Sequence, residues 1–150
     1  MSVRMALEVV VIPVGDVDCA VRFYTRLGWR LDADIVKGEH FRLVQFTSPG
    51  SQCSIHFGKG ITSAIPGSAG ALYLVASDVG AAREELVERG VEVSQIFHRT
   101  PGSEYLGGPE PQHKSYASFV SFRDPDGNAW VVQEVTERLP GRQTEQQLTS

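Results

Sequence analysis

Apolar residues alternate or cluster with β-branched neighbours over Leu7 to Val14, which predicts a strand. Asp16 follows in the position of a helix N-cap, where a carboxylate accepts from orphan backbone N–H groups. Val17, Ala20, Val21, Tyr24 and Leu27 then recur at helical spacing, and Gly28 supplies the stop. Trp29 to Ile35, Phe41 to Phe46 and Cys53 to Phe57 read as three further strands, with turns at Lys37-Gly38-Glu39 and Ser48-Pro49-Gly50-Ser51. The predicted order is β-α-β-β-β.

The second half repeats it. Ala71 to Ala76 is a strand, and Asp78 caps a helix whose apolar face is Val79, Ala82 and Leu86, with Glu85 and Arg89 one turn apart. Gly90 ends that helix, and strands follow over Val91 to Phe97, Ser115 to Phe122 and Ala129 to Val135. Asp16, Val17, Ala20 and Gly28 thus recur as Asp78, Val79, Ala82 and Gly90 at an offset of 62. Phe46-Thr47-Ser48-Pro49 aligns with Phe122-Arg123-Asp124-Pro125 at an offset of 76, so the second copy carries about 14 extra residues within Arg99 to Lys114. The chain therefore divides into a first module over 1–62, a second over 63–137 with its inserted loop at about 99–114, and a polar tail over 138–150 expected to fray.

Composition narrows the partners. The chain has 150 residues, 41% hydrophobic and 21% charged, as in an ordinary globular protein with one core or two small fused ones. A net charge of −4 disfavours a nucleic-acid backbone and suits neutral or cationic small ligands. Cys19 and Cys53 are isolated and read as reduced, packed thiols, so a cytoplasmic setting is expected. The apolar run near the start is broken by Glu8 and Pro13, too short for a signal peptide or a membrane span.

The strand followed by Val14-Gly15-Asp16-Val17-Asp18-Cys19-Ala20, then Phe23-Tyr24 and Leu27-Gly28-Trp29, resembles the vicinal oxygen chelate superfamily. That group includes glyoxalase I, bleomycin resistance proteins and extradiol dioxygenases. Phe122-Arg123-Asp124-Pro125-Asp126-Gly127-Asn128 is similar to its last hairpin, and the resemblance covers roughly residues 7–135. Ser115-Tyr116 through Trp130 and Gln133-Glu134-Val135, then Arg138 to Arg142, resemble a glyoxalase-like branch without an assigned reaction. The resemblance implies an α+β fold: two βαβββ modules whose sheets curl around a central cleft, helices outside. It also implies a homodimer.

Metal-using members of such a family place ligands on the first and last strands of each module. Here those positions correspond to Val9, Ile55, Ala71 and Val131, none of which offers a donor to a cation. No metal or other cofactor is therefore expected; a divalent metal is the alternative. A one-residue slip would bring in Glu8, His56 and Glu134 instead. The plainer reading makes Glu8 and Glu134 solvent-facing strand ends and His56 a hydrogen-bonded structural histidine.

Residues alternating with the four apolar positions share their face, which makes Val11, Phe57, Tyr73, Ala129 and Gln133 the cleft lining. The Tyr73 hydroxyl and Gln133 amide are its polar handles. The Gly/Pro-rich loop from Arg99 to Lys114, with Tyr105 and His113, reads as a lid or as a surface excursion. His40 and His98 also fall in or beside loops, and Asp124 to Asn128 reads as a type I turn rather than a calcium loop.

The leading expectation is a metal-free binder of a small aromatic or amphipathic molecule, with Val11, Phe57, Tyr73, Gln133, Tyr105 and His113 as contacts. The alternative is a lyase, isomerase or dioxygenase acting on a small carbonyl or aromatic compound. There Tyr73, Gln133, His98, Glu104, Tyr105 or His113 would bind an oxyanion or move a proton. An interaction module in a larger assembly is the third class. The partners are a small molecule and a second copy, with no nucleic acid and no membrane.

Overall fold

The computed structural model describes residues 2–142. The part of the expected tail from 143 onward lies outside the described residues. The fold is α+β, with two mixed sheets and two helices, and neither sheet closes into a barrel. Its elements are β1 (Val9–Val11), α1 (Val17–Arg26), β2 (Arg30–Lys37), β3 (Phe41–Thr47) and β4 (Ser54–Lys59). They continue with β5 (Leu72–Ala76), α2 (Val79–Glu88), β6 (Phe97–His98), β7 (Leu106–Gly107), β8 (Ser118–Arg123) and β9 (Ala129–Glu134). The strand orders are β1-β4-β3-β2 and β5-β9-β8-β6-β7. Among the described residues no helix is long and apolar enough to cross a membrane.

Both helices start and stop where the pattern predicts. The Asp16 carboxylate accepts from the Cys19 N–H at 3.0 Å, and Asp78 accepts from Ala81 at 3.0 Å. Gly28 and Gly90 follow the last turns with φ of 82° and 78°, a conformation that glycine adopts without a Cβ penalty. In α1 the buried positions are Ala20, Phe23 and Tyr24. Tyr24 packs against Phe57 and Phe46 at centroid distances of 5.6 and 6.0 Å, which fixes one face of the first sheet as core.

Contacts divide the chain into two compact units: residues up to Ala71 with Arg123–Ala129, and Leu72–Phe122 with residues from Trp130 onward. The hairpin tip over 123–129 thus belongs with the first unit. Asp124 explains this. Its Oδ1 accepts from the backbone of Asp126, Gly127 and Asn128, while Oδ2 accepts from the Tyr24 hydroxyl at 2.8 Å and the Asn128 amide at 2.8 Å. Asn128 also donates to the Pro13 carbonyl at 2.8 Å and accepts from Ala69 at 3.0 Å. Gly67, at φ 80°, allows this approach, because a Cβ there would lie 2.0 Å from the Asp126 carbonyl oxygen.

Three expected strands are shorter in the structure; of Leu7 to Val14 only Val9–Val11 forms β1. Of Val91 to Phe97 only the end becomes β6, with Val93 forming an isolated bridge to Phe122. Side chains satisfy the backbone there: Ser94 Oγ accepts from Ser121 N–H, and Arg83 donates to the Ser94 carbonyl. Likewise β8 begins at Ser118 rather than Ser115, because Tyr116 stands at φ 72°, outside the extended range, and the Ala117 N–H turns back onto the Lys114 carbonyl.

Candidate functional site

Each sheet buries one face under its helix, so the other face is where chemistry can be offered. In the first unit the parallel register pairs Val9 with Ser54, Val10 with Ile55 and Val11 with His56. Val9, Val11, Ser54 and His56 therefore share the open face, while Ile55 and Phe57 lie on the core face with Tyr24. This corrects the expected lining: Phe57 is fully buried and does not accompany Val11, which is 42% exposed. The cause is one residue. Five positions separate Pro49 from Ser54, whereas four separate Pro125 from Ala129. In the second unit Leu72 pairs with Trp130, so the counterpart of Val131 is His56 rather than Ile55.

The open face of the first sheet carries a continuous polar chain. His56 Nε2 lies 2.8 Å from Gln45 Oε1, and the Gln45 amide nitrogen donates to Ser54 Oγ at 3.3 Å. Ser54 and Thr47 hydroxyls meet at 2.6 Å, and Thr47 donates to Asp32. A register irregularity between Leu31 and Ala33 is what lets Asp32 join this face. Arg30, donating at 2.5 Å, and then the Thr47 hydroxyl hold the Asp32 carboxyl below the usual carboxylate range. Separately, Arg42 grips Asp34 with two nitrogens at 2.9 Å and lowers its pKa; Asp34, then Asp18, raise that of Arg42.

In the second unit Tyr73 pairs with Val131 and Val75 with Gln133, all on the open face. Tyr73 is 54% and Val75 51% exposed. The Gln133 amide donates to the Tyr116 carbonyl at 3.0 Å, which ties the strand to a loop residue held at φ 72°. The inserted loop is built rather than loose. Tyr105 packs edge-on to Phe97 and Phe119 at 5.4 and 6.3 Å, and the Arg99 guanidinium sits 4.1 Å from the Tyr105 ring centroid. Because Phe122 stacks on the core-face Trp130, strand alternation puts Phe119 on the open face with Val131 and Gln133.

His113 does not join them. Its Nδ1 lies 3.1 Å from Glu134 Oε1, and Glu134 Oε2 accepts from Val79 at the start of α2, on the helix side of the sheet. Glu134, expected to face solvent, is 2% exposed as a side chain: the N-terminal N–H of α2 and the imidazole supply the partners that make its burial tolerable. Glu8 is exposed.

Of the positions where metal ligands would stand, only His56 offers a donor, beside Val9, Ala71 and Val131. Among the described residues no group of three or more His, Cys, Asp or Glu side chains gathers to hold a metal ion. This donor set does not fit a divalent cation. Sequence reasoning missed Gln45, Thr47, Ser54 and Asp32. Their signal was present, since Gln45/Thr47 and Ser54/His56 are polar pairs at a spacing of two within strands otherwise apolar.

Residues 6–132 match the family model of the Glyoxalase/Bleomycin resistance protein/Dioxygenase superfamily, and the chain belongs to that superfamily. No curated protein matches it. Among solved structures it is similar to TnmS3, an antibiotic binding protein from Streptomyces sp. CB03234. The identity is 28%, over 90% of this chain and 99% of that one, with a TM-score of 0.68. It is also similar to a glyoxalase/bleomycin resistance protein from the same strain, at 29% identity over 86% and 100% of the two chains, TM-score 0.64. Lactoylglutathione lyase from Agrobacterium tumefaciens, 19% identical over 87% and 94% with a TM-score of 0.58, shares the fold alone.

Proposed function

We propose that this protein binds an aromatic or amphipathic small molecule on the open faces of its sheets, without a metal ion. The carrying observation is the exposure of Tyr73 and Val75 side by side with Val131 and Gln133. Burying a large apolar side chain is favourable by about 1.5–3 kcal/mol, so a ring laid on this face recovers free energy that water does not supply. Gln133 and the Tyr73 hydroxyl orient what the apolar surface holds. The likeness to an antibiotic binding protein supports the reading. The homodimer and cytoplasmic setting expected from the sequence form part of it.

The test is a thermal-shift panel of planar aromatic compounds and amphipathic antibiotics on wild type and on Tyr73→Ser and Val75→Ser. A saturable rise in Tm is expected, worth about 2.7 kcal/mol at a ligand concentration 100-fold above Kd and reduced in both variants. A panel that leaves the melting curve unmoved, or a shift indifferent to both substitutions, sinks the reading. A second reading, a lyase, isomerase or dioxygenase acting on a small carbonyl or aromatic compound, is favoured by the half-buried His56 backed by a carboxylate through side chains. Turnover of a bound panel compound distinguishes it.

A further inference from the structure

We propose that His56 is a ligand-contacting hydrogen-bond acceptor, locked in one tautomer by a one-directional chain ending on Asp32, so that the first sheet takes an aromatic ligand with a hydroxyl donor, a phenol. The inference rests on the binding reading above and names the chemistry of its ligand.

The direction of the chain follows from what each group can do. The Asp32 carboxylate only accepts, so the single Thr47 hydroxyl proton goes to it. In the 2.6 Å contact between Ser54 and Thr47 the donor is therefore Ser54. With its proton spent, Ser54 Oγ accepts from the Gln45 amide nitrogen at 3.3 Å, which also points at Asp32 Oδ2 at 3.5 Å. The Gln45 amide oxygen is left facing His56, and an amide oxygen only accepts. His56 must donate from Nε2. In neutral imidazole the other nitrogen then bears a lone pair, and no described residue hydrogen-bonds Nδ1. Gln45, Ser54, Thr47 and Asp32 are positioning residues for that lone pair.

The surroundings select the ligand. The register neighbours of His56 are Val11 and Gln45, with Ala33 opposite Gln45, and Ile35 and Leu43 one step along the same face. Val11, the register neighbour of His56, is an exposed apolar group on which a ring can lie. Asp32, ion-paired to Arg30, brings charge to this face, and Lys37 stands two residues beyond Ile35. A carboxylate or phenolate would set a second acceptor against the lone pair. A neutral phenol brings a strong O–H donor and an apolar ring.

The experiment uses 1-naphthol and 1-methoxynaphthalene, which share the ring and oxygen but in which the ether carries a methyl group in place of the O–H proton, with calorimetric affinities for wild type and His56→Phe. Nitrogen-15 NMR of the imidazole is recorded on wild type and Gln45→Leu. Wild type is expected to bind the naphthol about tenfold tighter than the ether. His56→Phe should bind both equally, and the Nε2–H tautomer should dominate in wild type and be lost in Gln45→Leu. Equal affinities in wild type, a preference that survives in His56→Phe, or an Nδ1–H tautomer overturns the assignment, as does binding of neither compound. The Tyr73 and Val75 variants with the wider panel decide separately whether the binding reading stands, so the two failures are distinguishable.

Discussion

The two units share a β-α-β framework, the second carrying one strand more (β7), and present different faces. Each has an aspartate N-cap, a glycine in the left-handed region after the helix, and a last strand paired in parallel with its first. On the open side the first sheet shows a hydrogen-bonded polar chain from His56 to Asp32, whereas the second shows Tyr73, Val75 and an aromatic cluster over Phe119. Caps and stops are set by backbone groups that every such unit must satisfy, so they recur. Open faces carry no such requirement, and there the copies part.

The sharpest way to break this comparison is at matched hairpin positions. Asp124 and Ser48 are counterparts, yet Asp124 accepts five hydrogen bonds, from Asp126, Gly127, Tyr24 and, twice, Asn128. Asp124→Ala should cost about 3 kcal/mol in urea denaturation and Ser48→Ala less than about 0.5. Equal costs would mean that the clasp on the first unit is not asymmetric. At the strand ends Glu134 corresponds to Lys59, which is exposed. Glu134→Ala should cost about 2 kcal/mol by orphaning the Val79 N–H, and Lys59→Ala almost nothing. A smaller loss, about 0.5–1 kcal/mol, is expected for Arg99→Ala, measured the same way, because the guanidinium over Tyr105 lies at a half-exposed ring.

The smallest effect concerns acid. The Asp32 and Asp34 carboxyls titrate lower in the folded state than the ordinary value of about 3.9, so the unfolded chain binds protons first. Their contribution is present above that value and is lost as pH falls through the depressed folded ones. Asp32→Asn with Asp34→Asn should therefore flatten the decline of the urea midpoint below about pH 4. An unchanged acid limb would show that these pairings, confined to the first sheet, add nothing to its stability.

Much of the scaffold was legible along the chain. Asp16 and Gly28, Asp78 and Gly90 announce their helices because capping is a local matter between a side chain and amides three residues away. The alternation that placed Tyr73, Val131 and Gln133 on one face held because β5 and β9 pair without interruption. The same reasoning failed for Phe57, since an extra hairpin residue inverts every side chain of a strand and repeat spacing does not reveal which strand carries it. His113 and Glu134 were misread for a different cause: a strand-end glutamate reads as solvated until a helix start and an imidazole arrive from elsewhere in the chain.

The sequence by itself determined the order of the elements other than β7, which forms inside the loop expected at 99–114, together with the duplicated caps and membership of the superfamily, because these rest on contacts within a few residues and on motifs that survive as strings. Only the tertiary structure decided which face each side chain shares, that the hairpin at 123–129 clasps the first unit, and that His56 stands at the end of a polar chain. Those outcomes depend on strand register and on partners up to 115 positions apart, as between Asn128 and Pro13. Pairing at that range is settled by packing of whole faces, to which local pattern is blind.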